Sequence, residues 1–554
     1  MKCLLVVVAL LLPVSAFATG GVTSSADPRA TAAGQEILRA GGSSTDAAIA
    51  MMLTLSVVEP QSSGIGGGGF MVVHDVASGK IATIDGREMA PAALKPTRFL
   101  NPDGTPKSYV DAVPGGDSVG IPGNVALAWK AHQHWGKLPW ARLFAPAIKI
   151  ATEGYTVSRG TYAAMQPWRA QDAAFLPFQA LFWENGAPKR FGTIIKNPAQ
   201  AKLLRAIALH GPSAFYKGAN ADAIGAALHS AAHNPAVMTQ ADLAGYVAKD
   251  RPALCGSYRS FKICSMGPPS SGGSTVLEIL GLLEPFDMKA LGKDNPQSWH
   301  LITEAMYLAY ADRNAYLGDP DFVQVPLAGL LDKQYLARRS ALISLTTSLP
   351  SYAPGNPPGA TKVTAVEPGE RTGTTHFVAV DRMGNITSMT STVEGLFGSQ
   401  LVANGMVLNN ELTDFSFAPE KEGKPVANAP QAHKRPLSSM SPTIVYDATG
   451  KPILALGSAG GPRIIMHVAK TLIAALDWDL PAEAAIAEPN LFIGGDAVLI
   501  EQGSKLDTMR GPLAAFGKTV VSAALPSKVN AVERTPSGWR GAADPRSEGN
   551  ALSE

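Results

Sequence analysis

Charge is scarce in this chain. Of 554 residues, 17% are charged and the net charge is +2. No basic stripe marks a nucleic-acid partner, and no acidic tail marks a solvating arm. Cysteine is scarcer, at three. Cys3 precedes an apolar run and is wrongly placed for a lipid-anchored cysteine. Cys255 and Cys264 flank "GSYRSFKI", a short strand pair by pattern. In an oxidising compartment they either form a disulfide or remain two separately buried thiols. Neither has an adjacent His or Lys to make it catalytic. Internal repeats are lacking, and so is any run after the N-terminus with the ~20 apolar residues a membrane span needs. "GIGGGGF" (64–70) lacks the Lys-Ser/Thr of a phosphate loop and precedes a strand, so nucleotide binding is excluded. Its glycines fit close backbone approach beneath a site. His132 and His134 in "AHQHW" have no Cys or acid set beside them, so no metal site is expected.

What is present is apolar, glycine-rich and proline-rich: 46% hydrophobic, 55 Gly and 42 Pro. The opening "MKCLLVVVALLLPVSAFATGG" has a charged start, a short apolar core and Ala16-Phe17-Ala18. It reads as a signal peptide over 1–18, giving an exported, periplasmic or secreted protein that begins near Thr19. Two helices follow, "ADPRATAAGQEILRAGG" and the almost wholly apolar "SSTDAAIAMMLTLSVVEP", which should be buried. "MVVHDV" and "KIATID" read as a hairpin. Residues 125–350 are rich in helical spacing, as in "WHLITEAMYLAYADRNAYLG". Residues 349–373 hold five prolines and read as an exposed loop. After Thr374 come two hairpins, "THFVAVD…NITSMTSTV" and "PTIVYD…PILALGS", and the helix "RIIMHVAKTLIAALDW". Large sheets covered by helices, an α/β layered fold, are expected.

The "GTTHFVAVD" stretch carries a chemical suggestion. A threonine hydroxyl needs an adjacent base to act as a nucleophile. Cutting the chain before a threonine supplies one, because an α-amine has a pKa near ~7.7–8.0. Gly373 adds no side-chain bulk, the loop before it is exposed, and a strand follows to hold Thr374.

The ordered motifs "DGREMAP", "VEPQSSGIGGGGFM", "AYADRNAYLGDPDFV", "GTTHFVAVD", "NNELTDFS", "KRPLSSMSPTIV" and "GSAGGPRII" resemble the γ-glutamyltransferase family of N-terminal-nucleophile hydrolases. The resemblance runs from about residue 25 to "GAADPRSEG". It implies an αββα sandwich and autocleavage between Gly373 and Thr374. The products would be a large subunit (19–373) and a small one (374–554), held as a heterodimer. It implies transfer of a γ-glutamyl group from glutathione or related compounds to water, an amino acid or a peptide, with no cofactor, metal, nucleic acid or membrane span. Thr374 would be the nucleophile, supported by Thr392, with Gly460 and Gly461 as the oxyanion hole. Arg87 would fork onto the substrate α-carboxylate, with Ser438 and Ser439 as hydroxyl donors. Asp414, Glu411 and Glu394 would face the ammonium. These charges sum to −2, so one glutamate should be protonated or meet a cation outside the set. The expectation drawn from this is that Glu394→Gln retains substantial activity while Asp414→Asn loses most.

Three segments depart from the family pattern. Ala459 and Pro462 interrupt the commoner "SPGGS", and Pro462 brings a fixed φ and no donor. Loop 415–437 has no tyrosine or tryptophan, where many relatives carry an aromatic lid. "AEPNLFIGG" replaces a segment closer to "APRFHHQ". Two rival readings stand beside this one. One is an unprocessed exported binding protein. The other is a related amidase acting on β-lactam side chains such as glutaryl, whose carboxylate the acid cluster would repel.

Overall fold

The computed structural model describes residues 21–166, 176–361 and 373–553. The signal-peptide reading and much of the 349–373 loop lie outside these. Two antiparallel sheets form the centre. The first uses β1 (Val22–Ser25), β2 (Gly68–Asp75), β3 (Lys80–Gly86), β4 (Lys249–Arg251), β7 (Gly373–Val380), β8 (Ile386–Glu394) and β13 (Asn550–Ser553). Its order is β13-β1-β7-β8-β2-β3-β4. The second uses β5 (Leu254–Tyr258), β6 (Phe261–Ser265), β9 (Thr443–Tyr446), β10 (Pro452–Gly457), β11 (Asn530–Thr535) and β12 (Gly538–Ala543). Its order is β12-β11-β10-β9-β6-β5.

Strand alternation builds the layers. Val378 and Val380 point one way, with Val22, Val72 and Ile386, and meet Cys264, Ile444, Ala455 and Val532 of the second sheet. Phe377 and Ala379 point the other way, with Met71, Val73 and Met389. They pack beneath α1 (Pro28–Arg39), α2 (Ser44–Val58), α3 (Ala145–Glu153) and α4 (Pro198–His210). The outer face of the second sheet packs on α5 (Gly272–Leu283), α6 (Pro296–Tyr316) and α7 (Arg463–Leu476). The result is the expected αββα sandwich.

Local sequence explains the elements. In α2 every residue is buried, and its start is a capping box between Ser43 and Asp46. Both hairpins after Thr374 form as the pattern indicates. "GMVLNN" gives only the two-residue strand Met406–Val407, because Asn409 and Asn410 turn inward to bond backbone and side chains. In the glycine run, a Cβ on Gly67 would collide with the Thr392 carbonyl. The run therefore shapes the floor under β8, as expected. Cys255 and Cys264 lie opposite each other on β5 and β6 and are bridged. Among the described residues, no helix is long and apolar enough to cross a membrane.

Candidate active site

Thr374 is the second residue of β7 and sits opposite Thr392 of β8, next to a register shift at Gly373. The Thr374 and Thr392 hydroxyl oxygens are 3.2 Å apart. Thr392 also donates to the Gly373 carbonyl at 2.8 Å and accepts from the Glu394 N–H at 2.8 Å. It therefore touches both the candidate attacking oxygen and the carbonyl at the candidate cut. Thr375 points to the opposite face and bonds Glu59, which Lys528 also holds.

Thr374 opens onto a cavity of about 20 Å³ lined by Arg87, Thr392, Glu394, Glu411, Asp414, Ser438, Ser439 and Gly461. Residues from five of the seven quoted motifs, together with Thr392 and Glu394 and separated by up to 374 positions, are thus brought together. Gly460 adjoins Gly461, and both have positive φ (136° and 59°), the region that favours glycine. Pro462 follows at φ −56° as the residue before α7. The fixed φ of proline suits a helix start, where the missing N–H is no loss. The first departure from the family pattern is accommodated in this way. The N-terminus of α7 points its partial positive charge toward the same cavity, which Ile464 also lines.

Arg87 is fully engaged. Its guanidinium pairs with Glu411 and, at 2.5 Å, with Asp414. It also donates to the carbonyls of Pro436 and Leu437. Burial alone would lower its pKa, but Glu411 and Asp414 outweigh burial and raise it. The expected fork is thus closed on acids of the protein itself, and a carboxylate reaches it only by displacing one of them.

Sequence reasoning missed several neighbours. Glu88 is buried beside Arg87 at 3.8 Å and adds a fourth acid. Burial raises the carboxyl pKa of both Glu88 and Glu411, and the charge of Glu88 adds to the rise at Glu411. Glu394 sits at φ 74° and accepts from the Tyr109 hydroxyl at 2.6 Å and from Asn410. Burial and the neighbouring carboxylates thus favour the neutral form of Glu411. Arg313 of α6, buried, donates to Ser439 Oγ at 2.7 Å and to Ser271 Oγ at 2.8 Å. By donating to Ser439 it leaves that hydroxyl proton to point elsewhere. Glu88 and Asn410 adjoin residues already singled out. Arg313 lies within a quoted motif, but only the fold aims it at Ser439.

An αββα sandwich with a threonine at the head of a central strand, facing a glycine pair, is the architecture of the N-terminal-nucleophile hydrolases. The sequence profile of the Gamma-glutamyltranspeptidase family matches residues 30–553. The Escherichia coli glutathione hydrolase proenzyme is 36% identical over 545 residues, 95% of this chain and 90% of that protein. The Bacillus subtilis (strain 168) glutathione hydrolase proenzyme is 36% identical over 482 residues, 85% of this chain and 80% of its own. The crystal structure of cephalosporin acylase from Bacillus halodurans superposes with a TM-score of 0.84 at 26% identity, covering 96% of each chain. The chain belongs to the gamma-glutamyltranspeptidase family.

Proposed function

We propose that this chain is a self-processing γ-glutamyltransferase and glutathione hydrolase, exported and cut between Gly373 and Thr374 into subunits 19–373 and 374–554. The observation that carries the reading is the Thr392 hydroxyl, bonded to the Gly373 carbonyl and 3.2 Å from Thr374 Oγ. In processing, Thr374 Oγ attacks the Gly373 carbonyl carbon, the amide becomes an ester, and water cleaves it. The freed α-amine then serves as base when the same Oγ attacks a γ-glutamyl amide. The N–H groups of Gly460 and Gly461 receive the developing oxyanion, a donor pair whose single loss typically costs ~10²–10³ in rate.

The cavity of about 20 Å³ holds little more than one water. A glutamyl head group therefore enters by exchange. Its ammonium replaces Arg87 at Asp414, and its carboxylate replaces Asp414 at Arg87, helped by Ser438 and Ser439. Water, an amino acid or a peptide then takes the acyl group. N-terminal sequencing of the smaller fragment tests the cut, and Thr374 should be the first residue. A Thr374→Ala protein should run as one intact chain and release no glutamate from glutathione. Normal splitting by that variant would refute the assignment.

A glutaryl amidase is the second reading, favoured by the likeness to the cephalosporin acylase structure. Glu394, Glu411 and Asp414 around the head-group site oppose it, since a glutaryl group brings a carboxylate and no ammonium. Comparing γ-glutamyl with glutaryl anilides separates the two.

A further inference from the structure

A second recess, of about 660 Å³, opens beside the catalytic cavity and has no part in the chemistry above. Its size suits an amino-acid or dipeptide ligand. Two points connect it to the cavity. Arg313 lines the recess and donates to Ser439, which lines the cavity. Pro462 lines the recess, directly follows Gly461 of the cavity, and accepts a hydrogen bond from the Tyr310 hydroxyl.

The walls are aromatic. Tyr307 and Tyr352 stack at 4.2 Å, and Phe492 meets Tyr310 edge-on at 5.8 Å. The charges are Arg313 and Lys421 against Asp496, a net positive lining. The three segments that depart from the family pattern all border this recess: Pro462, Phe492 of "AEPNLFIGG", and Lys421 of loop 415–437.

We propose that this recess holds the amine half of the reaction and selects amines that carry an aromatic ring and a carboxylate. It receives the leaving amine during acylation and the acceptor amine during transfer. In transfer, the acceptor nitrogen bonds to the γ-carbonyl carbon and the ester bond to Thr374 Oγ breaks. One proton passes from that nitrogen, by way of the Thr374 α-amine, to Oγ. Ring faces supply the stacking surface, and Arg313 with Lys421 face the carboxylate. The inference rests on the γ-glutamyl reading.

The test is kcat/KM for hydrolysis of γ-glutamyl-phenylalanine, γ-glutamyl-glycine and γ-glutamyl-phenylalaninamide, each divided by the value for glutamine. Glutamine releases ammonia, which reaches no wall of the recess, so differences in folded enzyme cancel. In Phe492→Ala the phenylalanine-over-glycine preference should fall on the order of tenfold. In Lys421→Glu, a change at an exposed position, the preference for the free carboxylate over the amide should shrink or reverse. Unchanged ratios in both variants, with glutamine still hydrolysed, would overturn the recess assignment and leave the γ-glutamyl reading standing. A wild-type enzyme that consumes no γ-glutamyl compound would overturn both.

Discussion

Glu411 and Asp414 both contact Arg87, yet they answer differently to losing their charge. Burial already drives Glu411 toward its neutral form, and the carboxyl of Glu88 beside it adds to the repulsion. A neutral amide there resembles the resident acid in shape and charge. Glu411→Gln should therefore lower kcat/KM for glutathione by less than about tenfold. Asp414→Asn removes the counter-charge of Arg87 and, on the proposed binding mode, of the substrate ammonium, and should lower it by on the order of 10²–10³. Steady-state kinetics on both variants decides, and equal losses would contradict the protonation assigned to Glu411. Residue types at this scale were legible in the sequence because motifs keep them together: Arg87, Asp414, Ser438 and Ser439 all reach the cavity. What stayed hidden was long-range contact. Tyr109 touches Glu394 across 285 positions of chain, and nothing in its own surroundings signals this.

Among the elements, the edge hairpin of β5 and β6 stands out. β5 is the outer strand of its sheet, and the Cys255–Cys264 bridge ties it to β6 across a separation of 9 residues. A loop that short restricts the unfolded chain by about 2–3 kcal/mol. Replacing both cysteines by serine should lower the melting temperature by only about 2–3 °C in a chain of this length while leaving kcat/KM for glutathione within about twofold, because neither sulfur lines the candidate catalytic cavity. Calorimetry with a parallel activity assay checks both halves. Hairpins and amphipathic helices were readable from their turns and periods. β1 was not. It has four residues, "VTSS", and its partners β7 and β13 lie more than 350 and 520 positions away. Pairings of that span leave no local turn signal to read.

For the molecule as a whole, one buried ring sets part of the response to acid. Burial lowers His376 from 6.5 to about 3, and its Nδ1 meets Thr390 inside the sheet. Its folded-state value is depressed, so the stability it contributes is present above 6.5 and is lost as pH falls toward about 3. In the uncut Thr374→Ala background, His376→Asn should flatten the stability curve across that interval by up to about 1.4 kcal/mol per pH unit. Urea titrations at several pH values measure the slope, and parallel curves would refute the assignment. The strand order carries a further consequence. β1, from before the proposed cut, lies between β7 and β13, both from after it. A nick at Thr374 therefore leaves two polypeptides woven through a single sheet, with no seam along which they part. Uncut protein should recover from denaturant by a first-order process, indifferent to dilution. Once nicked, the halves must find each other again, so recovery should become second-order and fail at low concentration, and the proposed processing would then be a one-way step in the life of the molecule.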